Sequence, residues 1–302
     1  HAGSELKNWR INLYQDLPMT NAMIEDIEIT EDDLASYNEK GFWLSPKIFN
    51  DDLIGRLREE YDRIFREDYD FDCFPWLRPK SFEIESNRIR QFNNGWWINE
   101  VVREAVRTPT IGCIGAKLMG TSEVRIWHDQ VLSKPGAGPD AAEYQDGNVG
   151  WHQDYAHWQC SNTSNMCTAW VALQDTDELN GAFRMVVGAH KWGLREDAHT
   201  YGEKNLDELK AKYEVDGKEW IEEPVILKAG EASFHHALTF HGSGPNLSTE
   251  PRLSLIVHMM PKDCGLRNEG TWHPCATLLG PYVKNGAPFE GPFFPRIWPM
   301  ED

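Results

Sequence analysis

Apolar residues recur at helical spacing in the segment Leu53–Phe65. These positions are Leu53, Ile54, Leu57, Tyr61 and Ile64. Residues three and four positions apart lie on one face of an α-helix, and Asn50 or Asp51 can cap the first turn. The pattern predicts an amphipathic helix that packs one face against a core.

Two further regions near the N-terminus have helical patterns. The segment Glu31–Lys40 begins with acidic residues and is followed by Gly41, which is typical of a short helix that stops at glycine. Residues 98–118 contain two more helical patterns, separated at Pro109. We therefore expect a helical layer in the N-terminal part of the chain.

Short β-type runs alternate with turn residues from Val124 onward, and one earlier strand is predicted at Phe42–Leu44. The later predicted strands are Val124–Leu132, Cys167–Asp175, Ala182–Val187, Pro224–Leu227, Ala232–His235 and Arg252–Met260. Many short strands bounded by Gly, Pro and Asn are typical of a sandwich or barrel. Two long insertions, Ser133–Gly150 and Arg195–Trp220, are expected to be binding loops at the mouth of a site. The predicted fold is mainly β with an N-terminal helical layer.

The whole chain, residues 1–302, is expected to form one domain, because β-rich cores of this length commonly stay single. We predict the helical part at about 20–120 and the β core at about 121–262. A C-terminal extension, residues 263–302, follows the core.

The charge balance narrows the expected partners. Thirty Lys and Arg residues stand against 48 Asp and Glu residues, a formal net charge of −18. This field repels phosphate backbones and anionic lipids, so we expect no nucleic acid and no membrane partner. The six cysteines form no Cys-x-x-Cys pair and are predicted to be free thiols: Cys73, Cys113, Cys160, Cys167, Cys264 and Cys275. We accordingly expect a cytoplasmic protein, as a monomer or a homodimer.

The run His152-Gln153-Asp154 carries the first sign of chemistry. An imidazole and a carboxylate two positions apart leave an extended backbone on the same face, so both can bind one metal ion. A further histidine from a distant strand would complete a site of two histidines and one carboxylate. That site leaves three coordination positions open for a bidentate co-substrate and oxygen.

His241 is the candidate for the third ligand, because it begins the run His241-Gly242-Ser243-Gly244-Pro245-Asn246. His235 and His236 lie just upstream and are alternatives for this role. Arg252 follows in an apolar strand, where its planar guanidinium can grip a carboxylate with two parallel hydrogen bonds. The residues thus indicate a metal site beside an anchor for a carboxylate.

Five stretches, in this order along the chain, carry a family pattern: Trp127–Gln130, Gly150–Asp154, Thr168–Leu173, Asn180–Arg184 and His241–Asn246. Together they resemble the phytanoyl-CoA dioxygenase family of iron(II)- and 2-oxoglutarate-dependent oxygenases. The resemblance covers most of the chain, from Asp32 to Met260. In that family the fold is a double-stranded β-helix, or jelly roll, which agrees with the strand-rich pattern.

The resemblance implies an oxidoreductase that uses iron(II), O₂ and 2-oxoglutarate as co-substrate. Such an enzyme hydroxylates, desaturates or cyclises a small organic molecule and releases succinate and CO₂. His152, Asp154 and His241 match the family's iron ligands, which are its catalytic centre.

The resemblance also implies residues that bind the co-substrate. Arg252 matches the arginine that pairs with the distal carboxylate of 2-oxoglutarate, and Ser243 matches the hydroxyl that supports it. Trp170 matches the aromatic side chain that packs beside the co-substrate. Gln130 and Lys134 lie on or just after the strand that enters the pocket in this family.

Several neighbouring residues have two interpretations. His128 and Asp129 are adjacent, so in a strand they point to opposite faces and do not share a metal. Four tryptophans can either line a substrate cavity or fill the core: Trp96, Trp97, Trp151 and Trp158.

Two other function classes fit the three metal ligands alone. One is a divalent-metal hydrolase or isomerase on the same scaffold, which would not need a dicarboxylate clamp. The other is a non-catalytic binding protein that keeps the metal to stabilise its fold. For the oxygenase we expect a small-molecule substrate other than a CoA thioester, because the phosphates of CoA favour a basic surface and this chain is acidic.

Overall fold

The computed structural model describes residues 27–71, 89–140 and 147–299. Cys73 and residues 141–146 of the insertion Ser133–Gly150 lie outside this part of the chain. The helices are α1 (Glu31–Lys40), α2 (Asp51–Phe65), α3 (Glu100–Val106), α4 (Pro109–Met119), α5 (Asp154–His157), α6 (Leu206–Tyr213) and α7 (Pro274–Thr277). Within the described residues, no helix combines the length and the apolarity that crossing a bilayer requires.

The strands form two antiparallel sheets. They are β1 (Phe42–Leu44), β2 (Arg90–Asn93), β3 (Val124–Lys134), β4 (Val149–His152), β5 (Cys167–Ala172), β6 (Arg184–Val186), β7 (Glu222–Pro224), β8 (Ala232–His236), β9 (His241–Ser243), β10 (Arg252–Pro261) and β11 (Arg296–Trp298). The larger sheet has the order β1-β8-β5-β10-β3-β11, with β2 also paired to β3, and the smaller has the order β4-β9-β6-β7. This is a jelly roll, and it confirms the mainly β fold.

The side chains of β10 point alternately to the two faces of the larger sheet, and the two faces have different surroundings. Leu253, Leu255 and Val257 belong to the core cluster that also contains the buried faces of α2, α3 and α4. The intervening residues Ile256 and His258 point the other way and line a cavity between the sheets. Because successive side chains of a strand leave opposite faces, one strand can serve both layers.

The helical layer forms as the pattern predicts. In α2 the cap is Asn50, whose side-chain oxygen accepts from Leu53 N at 2.9 Å. The buried residues of α2 are Leu53, Ile54, Leu57, Tyr61, Ile64 and Phe65. The sequence also places α1 correctly, with a capping box at Thr30 and Gly41 in the left-handed conformation at its end. Pro109 starts α4 rather than merely breaking a helix, because its missing N–H is not needed at that position.

Two aspects of the strand prediction were wrong. The strand predicted at Pro224–Leu227 lies earlier, at Glu222–Pro224, and Val225 and Leu227 instead enter the core between the sheets. Four short strands were missed: β2, β4, β9 and β11. In β4 and β9 the missing signal has a physical cause, since both are short and each carries a histidine that faces the cavity instead of an apolar core.

Gly150 allows the loop that contains Thr200 and Glu203 to lie directly on β4. A Cβ atom at this position would lie 2.1 Å from Thr200 O and 2.5 Å from Glu203 O. Gly150→Ala should therefore lower the free energy of unfolding by about 1–3 kcal/mol, the usual cost of overpacking. Gly55→Ala is the matched control, because Gly55 lies in α2 with nothing within 4 Å of its added Cβ. It should raise stability by about 0.5–1 kcal/mol. Chemical denaturation measures both, and equal effects of the same sign would contradict this packing.

Candidate active site

Two strand ends and a helix start bring three ligand groups together. His152 ends β4 and His241 begins β9, and the two are partners in the register of the smaller sheet. Asp154 is the first residue of α5. The Nε2 atoms of both histidines lie 3.5 Å from Asp154 Oδ1. The potential ligand atoms of all three residues lie within 4.8 Å of one another, a spacing that one metal ion can bridge.

Backbone carbonyls orient both imidazoles. His152 Nδ1 donates to Gly150 O at 2.7 Å, and His241 Nδ1 donates to Thr239 O at 2.9 Å. A neutral imidazole that donates through Nδ1 has its lone pair on Nε2. Burial also lowers the pKa of His241 well below its usual value, which keeps this ring neutral. Both rings therefore present a metal-binding nitrogen to the same point.

The two oxygens of Asp154 have different partners. Its Oδ2 accepts from Thr168 Oγ1 at 3.0 Å and from His235 Nε2 at 3.1 Å. Its Oδ1 is the oxygen that faces His152 and His241. Burial raises the pKa of Asp154, but the neighbouring imidazoles lower it by more, so the carboxylate is ionised. The structure thus places His235 behind the carboxylate and not at its open face.

A cluster of buried cations lies at the other end of the cavity. Lys134 and Arg252 are register partners in β3 and β10, and both are almost fully buried. Lys134 Nζ donates to Ser243 Oγ at 2.6 Å and also to Gly244 O. Burial and then the charge of Arg252 lower the pKa of Lys134 well below its usual value, and burial lowers that of Arg252 to about 10.

This end of the cavity has hydrogen-bond donors that a carboxylate would use. Within the described residues, Arg252 Nε and Tyr201 Oη are buried without a hydrogen-bond partner. Trp170 lies beside them, with the Arg252 guanidinium 5.2 Å from its ring centroid. Two adjacent buried cations repel each other, so a bound dicarboxylate would relieve an electrostatic cost. The donor set therefore fits an acid such as 2-oxoglutarate.

A polar row crosses the larger sheet beneath the metal ligands. In register, His128 of β3 faces His258 of β10, His258 faces Thr168 of β5, and Thr168 faces His235 of β8. His258 Nδ1 lies 2.7 Å from Thr168 Oγ1, and His258 Nε2 lies 3.1 Å from Gln130 Oε1. With its one proton given to Asp154, Thr168 accepts from His258. The neutral His258 ring then has its lone pair on Nε2, so it bonds to Gln130 only when the side-chain amide turns its NH₂ group toward the ring.

All of the sequence-predicted site residues line one cavity of about 390 Å³. They are His152, Asp154, His241, Arg252, Ser243, Trp170, Gln130 and Lys134. Asp129 leaves the opposite face of β3 from His128 and accepts from the backbone of Gly95 at 3.0 Å.

Of the four tryptophans with two interpretations, Trp158 alone lines the cavity. The other three pack in core clusters. Sequence reasoning missed Thr168, Tyr201 and His258 as parts of the site. Thr168 and His258 had a usable signal, since each lies two residues from a cavity residue of its own strand.

A family model described as "Phytanoyl-CoA dioxygenase (PhyH)" matches residues 37–254 of the chain. This range contains the proposed ligands and the cation cluster. The C-terminal segment that follows β10 lies beyond the match.

Curated relatives at low identity cover most of the chain. An ectoine dioxygenase from Bordetella bronchiseptica is 24% identical over 246 residues, which span 76% of this chain and 74% of that protein. The peroxisomal phytanoyl-CoA dioxygenase of Mus musculus is 23% identical over 232 residues, 76% of this chain and 67% of that one. Both relatives are named as dioxygenases.

Solved structures share the fold. The crystal structure of the epimerase SnoN in complex with Fe³⁺, alpha ketoglutarate and nogalamycin RO superposes with a TM-score of 0.68 at 23% sequence identity. The alignment covers 88% of this chain and 98% of that one. The jelly roll is therefore common to both chains.

Thr168 should hold the metal-binding carboxylate in place. Thr168→Val removes the hydroxyl that donates to Asp154 while keeping the shape of the side chain, so metal affinity should fall about 10–100-fold. Thr168→Ser should restore most of it. Thr176→Val is the control, because Thr176 is equally buried but bonds to Val225 O, away from the site. Calorimetric titration with cobalt(II) measures all three, and wild-type affinity in Thr168→Val would show that this hydrogen bond has no positioning role.

Proposed function

Because the chain belongs to the phytanoyl-CoA dioxygenase family and is an iron(II)- and 2-oxoglutarate-dependent oxygenase, we propose that it hydroxylates a small organic molecule. The observation that carries the proposal is the pairing of two sites in one cavity. A two-histidine, one-carboxylate cluster lies at one end, and a buried cation pair with free donors lies at the other. A hydrolase or an isomerase on this scaffold would have no use for the second.

We propose that His152 Nε2, Asp154 Oδ1 and His241 Nε2 bind the iron. The orientation of both imidazoles by backbone carbonyls supports this assignment, as does the occupation of Asp154 Oδ2 by Thr168 and His235. Two histidines and one carboxylate would leave further positions on a bound iron open to the co-substrate and oxygen. His235 is a positioning residue that acts through Asp154.

We propose that Arg252, Lys134 and Ser243 hold the distal carboxylate of 2-oxoglutarate. Arg252 supplies the charge, and Trp170 forms the adjacent wall. Lys134 donates to Ser243 Oγ, so the hydroxyl hydrogen of Ser243 is free to donate to the carboxylate. Tyr201 lies between the metal end and the co-substrate end of the cavity. Its ring centroid is 5.3 Å from that of His152, and its hydroxyl is buried without a partner in the described structure. It can donate to the co-substrate between the two ends.

When bound, iron, 2-oxoglutarate and O₂ supply an oxidant strong enough to remove hydrogen from an aliphatic carbon, with release of succinate and CO₂. The chain orients the co-substrate through Arg252 and holds the ligand carboxylate through Thr168. The apolar walls around the cavity exclude water, which protects the reacting groups from side reactions. Hydroxylation is the proposed outcome, and desaturation or ring closure would require the same residues.

We propose that the substrate is not a CoA thioester. Within the described lining of the cavity, Lys134 and Arg252 are the only lysine or arginine side chains, and both belong to the co-substrate end. The chain as a whole has a formal net charge of −18, which disfavours a ligand with several phosphates. Of the two relatives, ectoine dioxygenase is named for a substrate without CoA, whereas phytanoyl-CoA dioxygenase is named for a CoA thioester.

We also propose a cytoplasmic enzyme of one domain, as a monomer or a homodimer. The free, mostly buried thiols in the described chain support a reducing compartment.

Substitution of a proposed ligand should abolish turnover. His152→Ala, Asp154→Ala and His241→Ala each remove one of three iron contacts, so oxygen-dependent formation of succinate from 2-oxoglutarate should fall to background. His236→Ala is the control, because His236 bonds to Leu238 N and lies outside the cavity lining. It should keep activity. Full succinate formation in any ligand variant would contradict the assignment of that residue.

Arg252→Lys should separate co-substrate binding from metal binding. The variant keeps the charge but loses the two-pronged geometry, so the concentration of 2-oxoglutarate at half-saturation should rise about tenfold or more while metal affinity stays near normal. Arg125→Lys provides a matched arginine change far from the cavity, in a salt bridge to Glu123. Unchanged co-substrate saturation in Arg252→Lys would show that the two-pronged geometry of Arg252 does not anchor the carboxylate.

A further inference from the structure

The cavity has a second wall, opposite the cation cluster, that uses residues from outside the family match. His128 and Trp158 form its inner part, and the C-terminal segment Thr271–Pro274 forms its outer part. Trp272 stands at the rim with 67% of its surface exposed. Its indole gives the mouth of the pocket an apolar surface that a bound ligand could cover.

The C-terminal segment is held firmly against the core. His273 stacks on Trp127 and on His128, with ring centroids 5.3 Å and 5.4 Å apart. Gly270 packs so closely that an added Cβ would lie 1.7 Å from Gln159 O. The backbone bridge between Ser161 and Leu266 adds a further contact. The segment is therefore a fixed part of the wall.

The two imidazoles of this wall offer one donor and one acceptor. His273 Nδ1 accepts from Cys275 N at 3.1 Å, so its proton is on Nε2, where it can be donated. His128 Nδ1 faces Asp129 O at 3.5 Å, and because a carbonyl can only accept, this contact favours the tautomer with the proton on Nδ1 and an acceptor at Nε2. That Nε2 atom is buried and has no hydrogen-bond partner in the described part of the chain. A hydroxyl group satisfies both functions at once.

The wall is uncharged. Burial lowers the pKa of His128 to about 4, and burial lowers that of His273 well below its usual value. Protonating both rings at this separation would add mutual repulsion. Within the described lining of the cavity, Asp154 is the only carboxylate, and Thr168, His235 and the proposed metal site occupy its oxygens. A charged substrate would therefore lose its hydration without gaining a counter-charge.

We propose that His128, Trp158, Trp272 and His273 form the substrate subsite, and that it selects an uncharged, ring-shaped molecule that carries a hydroxyl group. The ring lies against the indoles, and the hydroxyl bridges His128 Nε2 and His273 Nε2. This inference rests on the proposed function, because it takes the opposite end of the same cavity as the co-substrate site.

The test uses three probes that share a 4-hydroxyphenyl ring and carry a neutral, an anionic or a cationic substituent: 4-hydroxybenzyl alcohol, 4-hydroxybenzoate and 4-hydroxybenzylamine. The protein is loaded with zinc(II), which does not react with oxygen, and with 2-oxoglutarate. Dissociation constants come from ligand-observed NMR titrations. The neutral probe should bind about tenfold tighter than either charged probe, the difference expected from a charge left without a partner.

Variants locate the binding. His273→Phe keeps the stacked ring but loses the donor, and His128→Leu loses the acceptor, so each should weaken the neutral probe about tenfold. His128→Gln keeps an acceptor and should stay within about threefold of wild type. Gly270→Ala displaces the whole segment and should also weaken binding. Tyr282→Ala, at a 95% exposed position of the same C-terminal region, should change nothing.

Tighter binding of a charged probe would overturn the inference, as would no binding of the neutral one. Wild-type binding in both His273→Phe and His128→Leu would do the same. Zinc and 2-oxoglutarate affinities measured on every variant show that the site is folded. Oxygen-dependent succinate formation by the wild-type protein with iron tests the proposed function separately. If succinate forms but the charged probes bind best, the proposed substrate subsite is wrong and the proposed oxygenase activity is still supported.

Discussion

The carboxylate of Asp154 connects the two sheets of the jelly roll, and the site depends on the different partners of its two oxygens. Oδ2 is bound to Thr168 and His235 of the larger sheet, whereas Oδ1 faces His152 and His241 of the smaller one. A buried carboxylate needs such partners, since without them its desolvation would be costly. The same contacts that stabilise the charge also fix the direction in which the free oxygen points.

The alternation of side chains along the strands of the larger sheet also positions the other residues of the cavity. Every second residue of β3, β5, β8 and β10 leaves the helical layer and faces inward, so the register aligns side chains in rows across the sheet. One row, from His128 to His235, is polar and supports the metal ligands. Lys134 and Arg252 form another pair, six residues away along both strands, at the end of the cavity that we propose for the co-substrate. The proposed metal, co-substrate and substrate sites are thus separated along one surface.

Local sequence patterns predicted the parts of this structure that obey simple periodicity. The stripe of α2, the glycine stop of α1 and the long strand β10 follow from spacing alone. His152 and Asp154 were found because two positions of extended chain separate them. By contrast, β4 and β9 carry site residues in place of an apolar face, so their strands gave no signal. The roles of Thr168 and His258 depend on partners 14 and 128 residues away, which only the register brings together.

A structure from crystals grown without oxygen, with iron(II) and 2-oxoglutarate, would show both proposed sites at once. We expect an anomalous iron peak roughly 2.0–2.2 Å from His152 Nε2, Asp154 Oδ1 and His241 Nε2, typical of nitrogen and oxygen ligands. We also expect the distal carboxylate of the co-substrate to pair with Arg252 and Ser243. An iron peak bound by His235 in place of His241, or a carboxylate away from Arg252, would contradict the proposed sites.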